Sequence, residues 1–217
     1  MTDLAALERR ISRTEAYIEI SNIMGRIEFL HSAYANEPIV PYFSTRPDTV
    51  IELPFGRYTG SDAAQRCFVG ALDEGLPPRD LSGEYVEHLL STPVIEVADD
   101  LETAKAAWIT PGAEAHHLGW VEGNPLHGFW YWGRYHLVFR KEEGAWKIWK
   151  YRNSLTFVAD YYKSFTDGSL PRPPAPVGNG GPDSAPRFQV EYTPSWDPKK
   201  LVHAPEPYAT FVDEDEF

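Results

Sequence analysis

The residues best suited to chemistry are one strand histidine and two cations that alternate with aromatic residues. His88 lies in the apolar segment YVEHLLSTPVIEV, where an imidazole can exchange protons near neutral pH. In the segment AWKIWKYRN, Lys150 and Arg152 share the parity of two apolar residues, so a regular strand directs all four to one face. The pattern predicts a polar patch in an aromatic pocket. The alternative is that the two long cationic stems pass along a core and reach water.

A second histidine and a tyrosine complete the candidate acid/base groups. His116 and His117 are neighbours, so in an extended segment at most one of them points into a pocket. The phenol of Tyr34, at the end of the first helix, would become a better proton donor beside a cation, although plain packing explains it equally well. The predicted catalytic residues are His88, His116, Tyr34, Lys150 and Arg152.

Aromatic residues supply the candidate substrate-binding groups, which are Tyr42, Tyr58, Trp108, Trp132 and Tyr135. Those whose side chains point to the pocket face of the sheet could hold flat aromatic rings, and the others would pack in the core. The histidines and nearby glutamates fit no tight metal-ligand spacing, which predicts no metal. No phosphate-binding loop, dinucleotide glycine fingerprint or nucleophile elbow is present in the sequence, so no cofactor is predicted.

Composition narrows the class of partner. The 217 residues are 42% hydrophobic, enough for a sizeable core, and carry a formal net charge of −12, which repels nucleic acids and anionic membranes. A lone Cys67 excludes an intrachain disulfide, and no apolar run approaches the roughly 20 residues that cross a bilayer. The N-terminal residues lack an apolar signal-peptide core. We expect a cytoplasmic protein that binds a small hydrophobic aromatic substrate.

Periodicity predicts helices followed by a β meander, which is an α+β fold. One helix runs from Asp3 to about Tyr34, with Ile20 and Ile27 on its buried side, and a second follows the N-cap Ser61. The remaining predicted elements are a strand at Thr49–Leu53, a turn at Phe55–Tyr58, the second helix at Asp62–Glu74, and strands at Tyr85–Val97, Thr103–Thr110, His127–Arg140 and Ala145–Phe157.

The C-terminal part differs in composition from the rest. A Pro/Gly-rich stretch begins near Leu170 and is followed by aromatic residues spaced between prolines, as expected of a tail lying over a folded surface. We predict a catalytic domain over residues 1–165 and an extended arm over residues 166–217. The arm could cover its own subunit or a dimer mate.

Three passages resemble the nuclear transport factor 2-like superfamily, in its polyketide-cyclase-like (SnoaL-like) branch. They are EISNIMGRIEFLHSAY, YVEHLLSTPVIEV and GRYHLVFRKEEGAWKIWKYR, within Leu4 to Phe157. The resemblance implies a cone-shaped, curved antiparallel sheet closed by N-terminal helices, and a homodimer or higher homo-oligomer. Several dehydratases of the superfamily carry a Tyr and an Asp near the end of the first helix. Here Tyr34 is followed by Asn36 and Glu37, so the familiar Asp–His dyad is in doubt.

Size, aromatic content and the arm are similar to those of the sphingomonad diarylpropane lyases within this branch. That likeness implies a cofactor-independent lyase that cleaves formaldehyde from a lignin-derived 1,2-diarylpropane-1,3-diol to give a stilbene, through a quinone methide. On this hypothesis Lys150 or Arg152 stabilises a phenolate, His88 or a tyrosine protonates the benzylic hydroxyl, and His88 or His116 deprotonates the terminal alcohol.

Two other functions fit the same residues. A dehydratase or isomerase of a steroid-like or polyketide-like substrate would use the same pocket without cleaving a carbon–carbon bond. A non-catalytic ligand-binding module would fill the pocket with aromatic side chains and use the arm to hold a partner. Fold alone does not choose among them.

Overall fold

The computed structural model describes residues 3–74, 80–118, 122–167, 180–189 and 191–212. Within these ranges a curved, unclosed sheet of seven strands packs against a long helix, which confirms the α+β prediction. The elements are α1 (Leu4–Ser32), a 3-10 helix (Glu37–Tyr42), β1 (Val50–Leu53), β2 (Gly56–Thr59), a π-helix (Gln65–Glu74), β3 (Tyr85–His88), β4 (Ser91–Val97), β5 (Thr103–His117), β6 (Leu126–Glu142) and β7 (Ala145–Asp160), then 3-10 turns at Phe165–Asp167 and Pro198–Lys200. In the described part of the chain, no helix combines the length and apolar character that crossing a bilayer requires.

The first helix forms where the sequence predicts it. The carboxylate of Asp3 accepts a hydrogen bond from the N–H of Ala5 at 3.1 Å and caps the start of α1. Its end is set by Tyr34, whose φ of +54° takes the backbone out of the helical region. Ile20 and Ile27 are buried against the sheet, as predicted.

The sheet departs from the predicted meander at its two edges. Strands β5, β6 and β7 form the expected antiparallel core, but β1 returns to pair parallel with β7, and β2 extends from it. The predicted turn at Phe55–Tyr58 is wrong, because Gly56 already begins β2. The predicted strand at Tyr85–Val97 is two strands, since the chain leaves the ladder after His88 and rejoins β5 at Ser91.

Each face of the sheet has its own cover. The inner face carries Ile51, Trp108 and Tyr135, and it packs with α1 and the π-helix in one apolar cluster. The outer face is covered by the C-terminal arm: the N–H of Phe188 donates to Oε1 of Glu52 at 3.0 Å, and the hydroxyl of Tyr208 donates to Oγ1 of Thr103 at 3.1 Å. These parts of the arm lie against the outer face of the sheet, whereas Gly180 lies beside Gly70 of the π-helix.

A bulge in β7 reverses the side to which the two predicted cations point. Phe139 pairs with Ile148, but the preceding Val138 pairs with Lys150, so Trp149 is an extra residue in the ladder. Lys150 and Arg152 therefore lie on the face opposite to that of Trp146 and Ile148. The prediction that the cations share a face with the apolar residues before them is wrong, because it assumed an uninterrupted alternation of side chains.

On the outer face the cations have structural partners. Nε of Arg152 lies 3.2 Å from Oε1 of Glu52, and Nη1 of Arg57 lies 2.9 Å from Oε2 of the same carboxylate. The Arg152 guanidinium also lies over the ring of Phe188, 5.1 Å from its centroid. Nζ of Lys150 lies 5.2 Å from the ring centroid of Phe211. These contacts hold the arm on the sheet.

We expect Glu52→Gln to lower the free energy of unfolding by about 3–5 kcal/mol, because the buried Arg57 and Arg152 lose the carboxylate that they share. Urea denaturation followed by tryptophan fluorescence measures the loss. The matched control is Asp48→Asn, whose carboxylate pairs with Arg46 at the surface and whose expected effect is below about 1 kcal/mol. Equal losses in the two variants would contradict the prediction.

Candidate active site

His88 is held on the inner face at the end of β3. It pairs with Gly112 in β5, and a Cβ atom at that glycine would lie 2.6 Å from Cδ2 of the imidazole, so a larger residue would displace the ring. Nε2 of His88 lies 2.7 Å from Oε1 of Glu114, and the ring stacks on Tyr131 with centroids 4.4 Å apart. The imidazole is thus fixed on two sides.

The neighbouring carboxylate determines which nitrogen of His88 is free. Burial raises the pKa of Glu114, but hydrogen bonds from His116 and His88 outweigh it and lower the pKa to about 2. An ionised Glu114 only accepts hydrogen bonds, so Nε2 of His88 carries the proton and donates it. Nδ1 of His88 is buried and, among the described residues, has no hydrogen-bond partner. This ring nitrogen lies on the inner face of the sheet.

His116 extends this network toward the edge of the sheet. Its Nε2 lies 3.0 Å from Oε2 of Glu114, its Nδ1 lies 2.7 Å from Oε2 of Glu84, and the hydroxyl of Tyr34 donates to the same Glu84 oxygen at 3.1 Å. Burial alone would lower the pKa of His116, but the two carboxylates raise it overall, which favours the imidazolium. His117 instead contacts backbone carbonyls near the surface.

An acid that the sequence analysis missed faces His88 from α1. Glu28 is buried, and burial raises the pKa of its carboxyl to about 7, against the opposing effects of the His88 charge and a hydrogen bond from Tyr135. Its Oε2 has no partner in the described part of the chain. Glu28 therefore exchanges its proton near neutral pH. The available signal was its place on the buried side of the helix, beside Ile27 and four residues after Met24.

Phenols and small polar groups line the rest of the inner face. The hydroxyl of Tyr131 donates to Oδ1 of Asn153 at 2.8 Å. Burial raises the pKa values of Tyr135 and Tyr151 well above the usual value, so both are neutral donors at physiological pH. Oγ1 of Thr110 is buried without a partner among the described residues. Together with Glu28 and His88, these groups give an otherwise apolar interior several hydrogen-bonding atoms.

The structure brings some predicted site residues together and separates others. His88, His116, Tyr34, Trp108 and Tyr135 lie on the inner face or at its edge. Trp132 lies on the outer face and stacks on Phe157, and Lys150 and Arg152 lie there as well. Tyr58 is buried with its hydroxyl donated to the carbonyl of Gly180 at 2.9 Å, and Tyr42 is half-buried against the core. The bulge and the arm explain these differences.

No three His, Cys, Asp or Glu side chains within the described ranges are arranged to hold a metal ion. In the network around His116, the carboxylate and imidazole atoms are hydrogen-bonded to one another at 2.7–3.0 Å.

The structure thus lays a helix across a curved sheet and buries acid/base groups between them. The model of the SnoaL-like domain matches residues 12–152, more than half of the chain, and the protein belongs to this family. No protein of curated function matches the sequence.

Solved structures show the same fold at low sequence identity. A hexachlorocyclohexane dehydrochlorinase, LinA-type3 from Novosphingobium barchaimii, is 13% identical with a TM-score of 0.55, over 76% of this chain and 99% of that one. A candidate scytalone dehydratase from Novosphingobium aromaticivorans is 18% identical with a TM-score of 0.53, over 71% and 93%. An NTF2-like protein from the same organism is 20% identical with a TM-score of 0.51, over 71% and 91%. They confirm the predicted NTF2-like architecture.

Glu28→Gln tests the buried acid through stability. Because the carboxyl keeps its proton to about pH 7 in the folded state but only to about 4.5 when unfolded, wild-type stability falls with rising pH between these values. The free energy of unfolding of Glu28→Gln, relative to that of the wild type, should therefore increase by about 3 kcal/mol from pH 4.5 to pH 7.5. Urea denaturation across this range measures it. Glu19→Gln, exposed on the same helix, is the control, and a pH-independent advantage would refute the assignment.

Proposed function

We propose that the protein is an acid/base lyase that eliminates from a hydroxylated aromatic substrate without a cofactor. The observation that carries the proposal is the pairing of Glu28, with a pKa of about 7, with the unpartnered Nδ1 of His88 on the same buried surface of the described chain. An elimination needs a proton donor at the leaving group and a base at the proton that departs. A carboxyl with a pKa of about 7 and an imidazole nitrogen without a partner can supply these two roles.

The proposed substrate is a lignin-derived 1,2-diarylpropane-1,3-diol. His88 Nδ1 accepts the proton of the terminal hydroxyl. The bond between the hydroxyl-bearing terminal carbon and its neighbour then breaks, which releases formaldehyde. The electron pair of the broken bond forms the stilbene double bond. The carboxyl of Glu28 protonates the departing benzylic hydroxyl, which leaves as water. The reaction is balanced as diol to stilbene, formaldehyde and water. A para-phenol on the benzylic ring assists this departure by forming a quinone methide.

The proposed ligand has flat rings and few hydroxyl groups, in keeping with the residues of the inner face. Trp108, Tyr135 and Tyr131 supply aromatic surface, and Thr110 Oγ1 and Asn153 supply hydrogen-bonding atoms. The two cations of β7 have no part in this proposal, because they lie on the outer face.

Glu114 acts as a positioning residue. Its ionised carboxylate holds the proton on Nε2 of His88 and so leaves Nδ1 as the base. His116 lies between Glu114 and Glu84 and donates a hydrogen bond to Glu114, which keeps the Glu114 carboxylate ionised. The hydroxyl of Tyr34, just after the end of α1, holds Glu84 in place. The arrangement resembles the carboxylate that orients the histidine of a hydrolytic triad.

A dehydratase is the second candidate, because Glu28 and His88 would also remove water when the base takes a proton from carbon. The test is incubation of metal-stripped protein with an erythro diarylpropane diol bearing a para-phenol, with stilbene absorbance and trapped formaldehyde measured together. Equal amounts of both products support the lyase. Absorbance without formaldehyde supports the dehydratase, and neither product supports a ligand-binding role.

His88→Gln and Glu28→Gln should each lower kcat by about 100-fold or more, because each removes one of the two proton-transfer groups. In the wild-type enzyme kcat should fall as the pH rises past about 7, where Glu28 loses the proton it donates. Lys150→Met is the matched control and should keep wild-type turnover. Loss of turnover in Lys150→Met, with full turnover in Glu28→Gln, would overturn the assignment of roles.

Glu114→Gln should lower kcat by about 100-fold with little change in KM, because an amide can donate to Nε2 of His88 and move the proton to Nδ1. Steady-state kinetics across pH 5–9 measure this. Glu87→Gln is the control, since Glu87 is exposed on the same strand as His88 and contacts Tyr85 instead. Similar kinetics for the two variants would remove Glu114 from the mechanism.

A further inference from the structure

The helix α1 brings a further imidazole to the candidate site. His31 lies three residues after Glu28, so the two side chains leave the same side of the helix about 4.5 Å apart along its axis. The ring of His31 lies beside that of His88, with centroids 5.9 Å apart and planes tilted by 42°. His31 therefore borders the candidate base, although it has no part in the proposed elimination.

Two polar residues fix the position of the hydrogen on the ring of His31. Nδ2 of Asn36 donates to Oδ1 of Asp73 at 2.6 Å, because an amide nitrogen can donate to a carboxylate and an amide oxygen cannot. The amide oxygen of Asn36 is thereby turned toward His31, where it lies 3.0 Å from Nδ1. That oxygen only accepts hydrogen bonds, so Nδ1 of His31 carries the hydrogen and donates it.

The other ring nitrogen of His31 is left as an acceptor. Burial lowers the pKa of this imidazole, the hydrogen bond to Asn36 opposes that effect, and the charges of His88 and His116 reinforce it. A neutral ring with its hydrogen on Nδ1 has its lone pair on Nε2, on the side of the ring away from Asn36. In the described part of the chain, no residue donates a hydrogen bond to this nitrogen. The side chain is half-buried, so water or a bound ligand can satisfy Nε2.

We propose that His31 recognises a phenolic hydroxyl of the substrate through Nε2, with Asn36 and Asp73 as positioning residues. This recognition rests on the proposed function, in which Glu28 and His88 already serve the benzylic and terminal hydroxyls of the diol. The remaining donor of such a substrate is the para-phenol. Its oxygen lies across one aromatic ring from the benzylic carbon, a separation close to one helical turn of about 5.4 Å, and His31 follows Glu28 by nearly one turn.

An acceptor at this position selects phenols over phenol ethers. A phenolic O–H can donate to Nε2 of His31, whereas an O-methylated ring has no hydrogen to donate and brings a methyl group against the nitrogen. As the benzylic hydroxyl leaves, positive charge spreads to the phenolic oxygen, and the hydrogen bond to Nε2 becomes stronger. His31 thus favours substrates with a free para-phenol, which are the ones that can form a quinone methide.

Binding of two product analogues tests the recognition without requiring turnover. The probes are trans-4-hydroxystilbene and trans-4-methoxystilbene, and quenching of tryptophan fluorescence gives their dissociation constants. We expect His31→Phe to weaken binding of the hydroxystilbene by about tenfold or more, because the variant keeps a flat ring but loses the acceptor. Binding of the methoxystilbene should change by less than about twofold. His203→Phe, at an exposed histidine of the arm, is the matched control and should bind both probes as the wild type does.

Failure of the recognition and failure of the proposed function give different results. Equal losses for the two stilbenes in His31→Phe, or no loss for either, overturn the recognition of the phenol while the ligand site stands. A wild-type protein that binds neither stilbene overturns the ligand site itself, and with it both proposals.

The tautomer of His31 is measured without any ligand, by long-range ¹H–¹⁵N NMR of the full chain at pH 7. We expect the pattern of a hydrogen on Nδ1 in the wild type, assigned by its absence in His31→Phe, and loss of that pattern in Asn36→Leu, which removes the acceptor. Asn22→Leu, at an exposed position of α1, is the control and should keep the pattern. A hydrogen on Nε2 in the wild type, or an unchanged pattern in Asn36→Leu, overturns the proposal.

Discussion

The extra residue at Trp149 in β7 is the constraint on which the rest of the structure depends. Strand β7 lies between β6 and β1, and the bulge lets its first half contribute Ile148 to the core and its second half contribute Tyr151 to the same inner face. The same shift sends Lys150 and Arg152 outward. One inserted residue therefore separates a phenol-lined interior from a cationic exterior within a single strand.

The C-terminal arm on the outer face and the helix α1 on the inner face contact the sheet through different interactions. The outer cover is electrostatic and aromatic: Glu52 is shared by two arginines and by the backbone of the arm, so the arm is held where the sheet would otherwise expose charged residues. The inner cover is a helix whose buried side is apolar except for Glu28. Placing one carboxyl in that apolar contact raises its pKa toward neutrality.

The candidate site combines a group that ionises near neutral pH with groups that do not. Glu114 stays ionised because two imidazoles donate to it, and the phenols of Tyr135 and Tyr151 stay neutral because burial disfavours the phenolate. The position of each proton follows from these differences, since an ionised carboxylate only accepts and a neutral phenol can donate. The network fixes His88 while leaving its Nδ1 available. Several side chains thus hold one imidazole in place.

The sequence by itself determined the first helix, the α+β class and the strand that carries His88, because periodicity and composition report which side of an element is buried. The strand predicted at Thr103–Thr110 stopped short of His116, which the structure places within β5. It also supported the family, which the match over residues 12–152 confirms. Only the tertiary structure decided the face of the sheet on which Lys150 and Arg152 lie, since a bulge reverses the alternation of side chains and the local sequence does not indicate it. The raised pKa of Glu28 was decided there too, because a pKa depends on burial and neighbours that folding brings together.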